Sequence, residues 1–204
     1  MENKDWLVDD RGNCIECEIV EDWEWLEKKY RLYRFLTDIE DIIERTQDDR
    51  QRLAAIRPLV RRLLTSSDWL QGEYLEPDPQ LGWSVLTLYD EIDFPLTIQT
   101  VAWSPGKVSP IHNHAAWGIV ALISGKEKNI LWRRSDDRKN RDRIDRVGEQ
   151  ILAPGDIITF TPDAIHSVEA ISSEEPAISF NIYGETNYEQ RFEFDRINHK
   201  AENF

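Results

Sequence analysis

From residue 83 to residue 194 the chain is cut into short apolar runs by turn signals. The runs cover 83–89, 95–103, 117–123, 127–133, 146–152, 156–160, 165–171 and 176–183, with a last candidate at 190–194. "SPG", "SGK", "APGD", "TPD" and "SSEEP" separate them. Many short strands divided by Gly/Pro turns predict an all-β sandwich or barrel. The charged stretch "RSDDRKNRDRIDR" (134–146) carries too much charge to be buried, so it reads as a solvated loop between two strands.

The first 80 residues have a different period. Between Trp23 and Thr46 the apolar positions Leu26, Tyr30, Tyr33, Leu36, Ile39 and Ile43 recur every three or four residues, the pattern of an amphipathic helix. Leu53, Ile56, Val60 and Leu63 indicate a second helix. Pro58 either kinks it or sits in its first turn. "EYLEPDPQLG" (73–82) reads as a loop. The expected organisation is an N-terminal helical segment, 1–80, packed on a β-domain, 81–195, with a polar tail at 196–204. A chain of 204 residues suits one such domain with its appended piece.

The formal charge is −14, from 25 basic and 39 acidic residues. Nucleic-acid binding needs Lys and Arg to neutralise phosphate, and an anionic membrane surface makes the same demand, so neither is an expected partner. No apolar stretch reaches membrane-spanning length. The opening "MENKDWLVDDRGNC" is charged from its second residue and carries no visible secretory signal. The expected location is the cytoplasm. Cys14 and Cys17, in "CIEC", have no second pair and no nearby histidine. They read as free thiols in a reducing compartment.

Four histidines occur in the whole chain, and two of them stand in "SPIHNH". Side chains alternate along a strand, so His112 and His114 project to one face and Asn113 to the other. Two imidazoles so placed suit a metal ion. His166, in "PDAIHSV", begins another predicted strand and could face them across a barrel. Three imidazoles accept Fe, Ni, Zn, Cu or Mn, so spacing alone leaves the metal open. His199 lies in the polar C-terminal stretch and reads as an ordinary surface residue.

"GKVSPIHNH" followed by "PGDIITFTPDAIHSV" resembles the two motifs of the cupin superfamily, over residues 80–195. The resemblance implies a double-stranded β-helix, or jelly-roll, barrel with a metal inside, preceded here by α-helices. Most cupins add a glutamate soon after the second histidine. Here Trp117, Gly118 and Ile119 occupy that stretch, and the first acidic residue is Glu127. A three-histidine set of this kind is similar to that of the cysteine dioxygenase-like thiol dioxygenases. "SSDWL", "TLYD", "IHNHAAWGIVALISG" and "AISFNIYG" also look like parts of that group. What the resemblance implies is Fe(II) on His112, His114 and His166, and a small-molecule thiol oxidised to a sulfinate by O₂. Neutral ligands suit a substrate that brings its own negative charge as a thiolate.

The same resemblance assigns Ser179, Asn181 and Tyr183 to the metal-facing side of their strand, with Tyr183 offering a hydroxyl to the reacting atoms. From pattern alone this could equally be a strand with its polar face in water. The group's middle histidine is Asn181 here, which can still hydrogen-bond both neighbours but cannot become cationic. Gly118 occupies the place of the cysteine that crosslinks to the tyrosine in the cysteine-specific enzymes. Relatives grip a carboxylate with arginine. "GWSVLT" before Leu88-Tyr89 has none, which leaves Arg191 as the matching candidate, with a surface strand residue as its alternative reading. Two other functions stay open: a cupin using another divalent metal on a non-thiol substrate, and a non-catalytic small-molecule-binding cupin. The sequence also leaves monomer and homo-oligomer open.

Overall fold

A computed structural model of the chain describes residues 3–20, 29–137, 140–172 and 174–204. Thirteen strands among these residues form two sheets. They are β1 (Asp5–Val8), β2 (Cys14–Cys17), β3 (Trp83–Asp90), β4 (Leu96–Trp103), β5 (Ile111–Asn113), β6 (Gly118–Ser124), β7 (Glu127–Arg134), β8 (Ile144–Leu152), β9 (Ile157–Phe160), β10 (Ile165–Ala170), β11 (Ala177–Gly184), β12 (Phe192–Asp195) and β13 (Lys200–Asn203). One sheet has the order β2-β1-β9-β6-β11-β4-β3, the other β13-β12-β5-β10-β7-β8.

Strand β11 shows why the layers stack as they do. Ile178, Phe180 and Ile182 alternate with Ser179, Asn181 and Tyr183, so the two sets lie on opposite faces. The Phe180 and Ile182 side packs into a core with Ile98, Ile119, Phe35, Ile39, Ile56, Val60 and Leu63. That core fills the space between the sheet and two helices, α1 (Leu32–Arg45) and α2 (Asp49–Ser66). Phe180 has no exposed surface, and its burial stabilises the contact by roughly 1.5–3 kcal/mol. The other side of β11 faces the space between the sheets. Val120, Leu122, Leu131, Ile158 and Phe160 form a separate core there.

Helix α2 is tied to the sheet by charge as well as by packing. Asp5 on β1 is 1% exposed and pairs with Arg61, and with Arg57 at 3.1 Å. Arg61 also donates to the Gly155 carbonyl. Burial pushes the Asp5 carboxyl above its usual range, against the pull of both arginines.

Several expectations need correction. The barrel is not closed: among the described residues no ladder joins the two sheets, and β3 and β8 remain as edges. The N-terminal segment is not purely helical. Strand β1 adds in parallel to β9, and β2, which carries both cysteines, pairs with β1. The first helix begins at Leu32; the expected start, at Trp23, lies outside the described residues. The second does not start late: it runs from Asp49 through Pro58, the first of the two readings left open, with Asp48 capping its N-terminus by accepting from the Gln51 N–H at 2.9 Å. Residues 196–204 are not a loose tail, because β13 pairs antiparallel with β12. Each short, mixed-polarity strand borrows its backbone partners from an existing sheet edge, so local pattern did not reveal it. No helix among the described residues is long and apolar enough to cross a membrane.

Candidate metal centre and its cavity

His112 and His166 meet as direct cross-strand partners of β5 and β10, neighbours on one sheet. His114 follows β5, and the chain turns sharply there. Ala115 adopts φ 50°, a left-handed backbone that costs a residue with a Cβ about 1–2 kcal/mol. Its N–H is held by the Pro162 carbonyl and its own carbonyl accepts from Asn187 N–H. The turn brings the His114 imidazole back toward the other two. Ring nitrogens of the three histidines lie within 4.8 Å of one another, and no carboxylate belongs to this group among the described residues.

Hydrogen bonds set which nitrogen of each ring is free. His112 Nδ1 lies 3.0 Å from the Pro110 carbonyl. A carbonyl only accepts, so Nδ1 carries the proton and Nε2 keeps its lone pair. His166 Nδ1 donates to Asn129 Oδ1 at 2.8 Å, and Asn129 Nδ2 donates to Glu127 Oε1 at 2.8 Å. This relay fixes the tautomer of His166 in the same sense. His114 Nε2 and His166 Nε2 are 3.0 Å apart. Two nitrogens each about 2.1 Å from one ion, at a right angle, are separated by about 3.0 Å. Burial holds all three rings neutral, the ligand form. His112 falls to about 4, and His114 and His166 lie well below the ordinary range, with mutual repulsion adding to both. The donor set therefore fits a divalent metal.

Around the histidines is a cavity of about 530 Å³. Ser179, Asn181 and Tyr183 line it, with the first two 2% and 3% exposed, so the polar face of β11 looks into the molecule and not into water. Tyr183 stacks on His114, ring centroids 4.4 Å apart. Its hydroxyl donates to Asn181 Oδ1 at 3.2 Å, and Asn181 Nδ2 donates to Ser179 Oγ at 3.0 Å. Gly118 is pressed against this ring: a Cβ there would sit 3.0 Å from Tyr183 Cδ1 and Cε1.

Arg191 also lines the cavity. It stands just before β12, which begins two residues later than the strand expected at 190–194, and its guanidinium lies 4.2 Å from the centre of the Phe204 ring. Its charge helps to lower the pKa of His112 and His114. His199 is exposed in the turn between β12 and β13.

Three contributors escaped the sequence reading. Asn113, expected to face outward, does point away from the other side of its strand but is only 3% exposed. It donates to the Gln190 carbonyl at 2.9 Å and accepts from Phe192 N–H at 2.8 Å, one bond on each side of Arg191. Glu127 and Asn129 are both 1% exposed. Burial pushes the Glu127 carboxyl up to about 7. Their signal was present in "EKNILW": polar residues at alternate positions sharing a face with the apolar Leu131.

A family model described as cysteine dioxygenase type I matches residues 91–197. The chain belongs to the cysteine dioxygenase type I family. The matched region contains all three converging histidines, Tyr183 and Arg191. Solved structures similar to this chain include a recombinant oxalate oxidase in complex with glycolate, at 12% identity and TM-score 0.42, covering 57% of each chain. A conserved protein of unknown function from Streptococcus pyogenes is 15% identical with TM-score 0.43, covering 58% of this chain and 85% of that one. An RmlC-like cupin from Shewanella frigidimarina NCIMB 400 is 12% identical with TM-score 0.41, covering 55% and 84%. The chain thus spans little more than half the length of the oxalate oxidase it matches.

Proposed function

We propose that this chain is an Fe(II)-dependent dioxygenase that adds both atoms of O₂ to the sulfur of a small-molecule thiol, giving a sulfinate. The observation that carries the reading is the convergence of three neutral imidazoles, without a carboxylate, beside Tyr183 in a family of cysteine dioxygenase type. Iron held there would supply Lewis acidity to ionise the thiol and a redox partner for O₂.

The protein's own groups have distinct parts in this reading. His112, His114 and His166 hold the ion, and the Asn129–Glu127 relay keeps the His166 ring turned toward it. Arg191 offers a guanidinium to a substrate carboxylate, whose two oxygens it can meet in parallel. Tyr183 stands over His114, and its hydroxyl donates a hydrogen bond to Asn181 Oδ1. Releasing that hydroxyl toward the reacting atoms gives up one hydrogen bond, about 1 kcal/mol. Because Asn181 never becomes cationic, Tyr183 is the titratable group on this face of β11.

The test is metal analysis and O₂ uptake on Fe(II)-loaded protein with a panel of thiols. The expected result is one iron per chain, lost in His112→Ala, His114→Ala and His166→Ala, and O₂ consumed in proportion to sulfinate formed. Full iron in all three variants would sink the metal assignment. Iron without uptake on any thiol would favour another oxygenation or a binding role.

A further inference from the structure

The cavity is longer than a small thiol requires, and its far end is apolar. Along β11 the inward side chains run from Tyr183 through Asn181 and Ser179 to Ala177. The neighbouring strands continue each rung. Ser179 pairs with Val101, which pairs with Val85; Ala177 pairs with Trp103, which pairs with Trp83. Six residues of strand separate the Tyr183 rung from the Trp103 rung, about 20 Å at 3.3–3.4 Å per residue. Trp83, Val85, Val101 and Trp103 all line the same cavity as the histidines, and Val168 faces them from β10. None of these side chains carries a charge. Trp83, on the edge strand β3, is 37% exposed and stacks obliquely on Trp103 with centroids 5.9 Å apart. An aromatic pair of this kind marks the rim.

Size leads to the same place. A three-carbon thiol displaces about four waters' worth of liquid, about 120 Å³. The cavity, at about 530 Å³, falls within the range of roughly 300–1,000 Å³ that holds much larger ligands. Water left along an apolar wall lacks hydrogen-bond partners, so an apolar group that displaces it gains affinity.

We propose that the substrate carries, beyond its reacting head, an uncharged apolar body, an aryl or branched alkyl group, that lies along the Val85–Val101 rung and ends against Trp83 and Trp103. Only the placement of the head, at the histidines, rests on the function proposed above. The wall selects the body by its apolar surface, and its length sets how far the body extends.

Binding tests this independently of turnover. Mercaptoacetate and 2-mercapto-8-phenyloctanoate share the thiol and carboxylate and differ by a phenylhexyl chain, long enough to approach the two tryptophans. Their affinities are measured by calorimetry on the iron-loaded protein without oxygen. The phenyl compound is expected to bind at least fivefold more tightly. Trp83→Ala and, separately, Val85→Phe, which fills the channel, are each expected to cut that ratio at least in half. Trp83 is exposed enough that its loss should leave the fold intact, and Val85→Phe reads the same wall should it not. A ratio below five, no measurable binding of the phenyl compound, or a ratio unmoved in the folded variants overturns the proposal. O₂ uptake with the same two thiols is read separately: none with either sinks the thiol-dioxygenase reading and leaves the binding ratio to decide the apolar body.

Discussion

Tyr183 and Glu127 are the two ionisable side chains whose surroundings say most about chemistry at the centre. Burial raises the Tyr183 phenol above its usual range, with the Glu127 carboxylate adding to the shift. It therefore stays a hydroxyl at neutral pH. Tyr183→Phe is expected to retain iron and slow sulfinate formation by about a hundredfold, the scale of a lost positioned proton donor; undiminished turnover would return Tyr183 to a packing role. Glu127 acts on stability in the opposite direction to the histidines. The three rings are neutral when folded and bind protons more readily when unfolded, so they stabilise the metal-free chain above pH 6.5 and lose this as pH falls through that value toward 4. Glu127, at about 7 when folded against 4.5 ordinarily, binds its proton more readily in the fold, so its contribution declines as pH rises from 4.5 to 7. Denaturation in chelator should show stability of Glu127→Gln rising more steeply from pH 4.5 to 6.5 than that of the unaltered chain, by up to about 1.4 kcal/mol per pH unit. Parallel curves would mean the carboxyl is not held protonated. The histidines themselves were legible because H-x-H behind a turn is rare in chance sequence, whereas Glu127 left only the weaker trace of alternation in its strand. A buried carboxyl has no sequence signature until its strand's inward face is known.

At the scale of elements, apolar runs bounded by turn signals were readable and most of the three- and four-residue pieces were not. Strands β4, β6, β7, β9, β10 and β11 lie within a residue or two of their expected positions, each with buried side chains, and the more exposed β3 and β8 were placed as closely from their turn signals. Strands β1, β2, β5 and β13 are three or four residues long and owe their form to the neighbour they pair with. Helix α2 was placed, and of the two readings left open at Pro58 the late start is the one excluded, since the helix begins at Asp49. The ring removes one N–H, yet packing of Leu53, Ile56, Val60 and Leu63 offsets that loss. The ion cluster that joins α2 to β1 makes a separate prediction. Asp5→Ala leaves Arg57 and Arg61 buried without their anion, which should cost about 3–5 kcal/mol and lower Tm by on the order of 10 °C. Thermal melting checks it. A change within a degree or two would show that water reaches these guanidiniums.

For the whole molecule, the all-β class and the helical preface follow from period alone, but closure does not. Whether two sheets join at their edges depends on strand pairing between residues far apart in the chain, and neither β3 nor β8 announces itself as an edge. The open architecture still concentrates chemistry in one place. The two sheets contribute complementary halves: imidazoles from β5 and β10 on one, the hydroxyl and amide row of β11 on the other. Neither half has the full set of groups, so the spacing between layers governs the centre as much as any single residue.

The amide of Asn113 has a consequence of a different kind. It sits between two ring-bearing neighbours in the chain and grips the backbone on both sides of Arg191. In the proposed function, the place that would hold a cation and the place that would hold an anion are thereby fastened to one another. Occupying either should make the other easier to occupy, and linkage requires the two effects to be equal in size. Iron should tighten the binding of 3-phenylpropionate, a carboxylate with no thiol, about fivefold or more, and the carboxylate should retard iron loss to a chelator by raising iron affinity by the same factor. In Asn113→Ala both effects should shrink together. Should one persist while the other vanishes, the two sites are not in conversation through this residue.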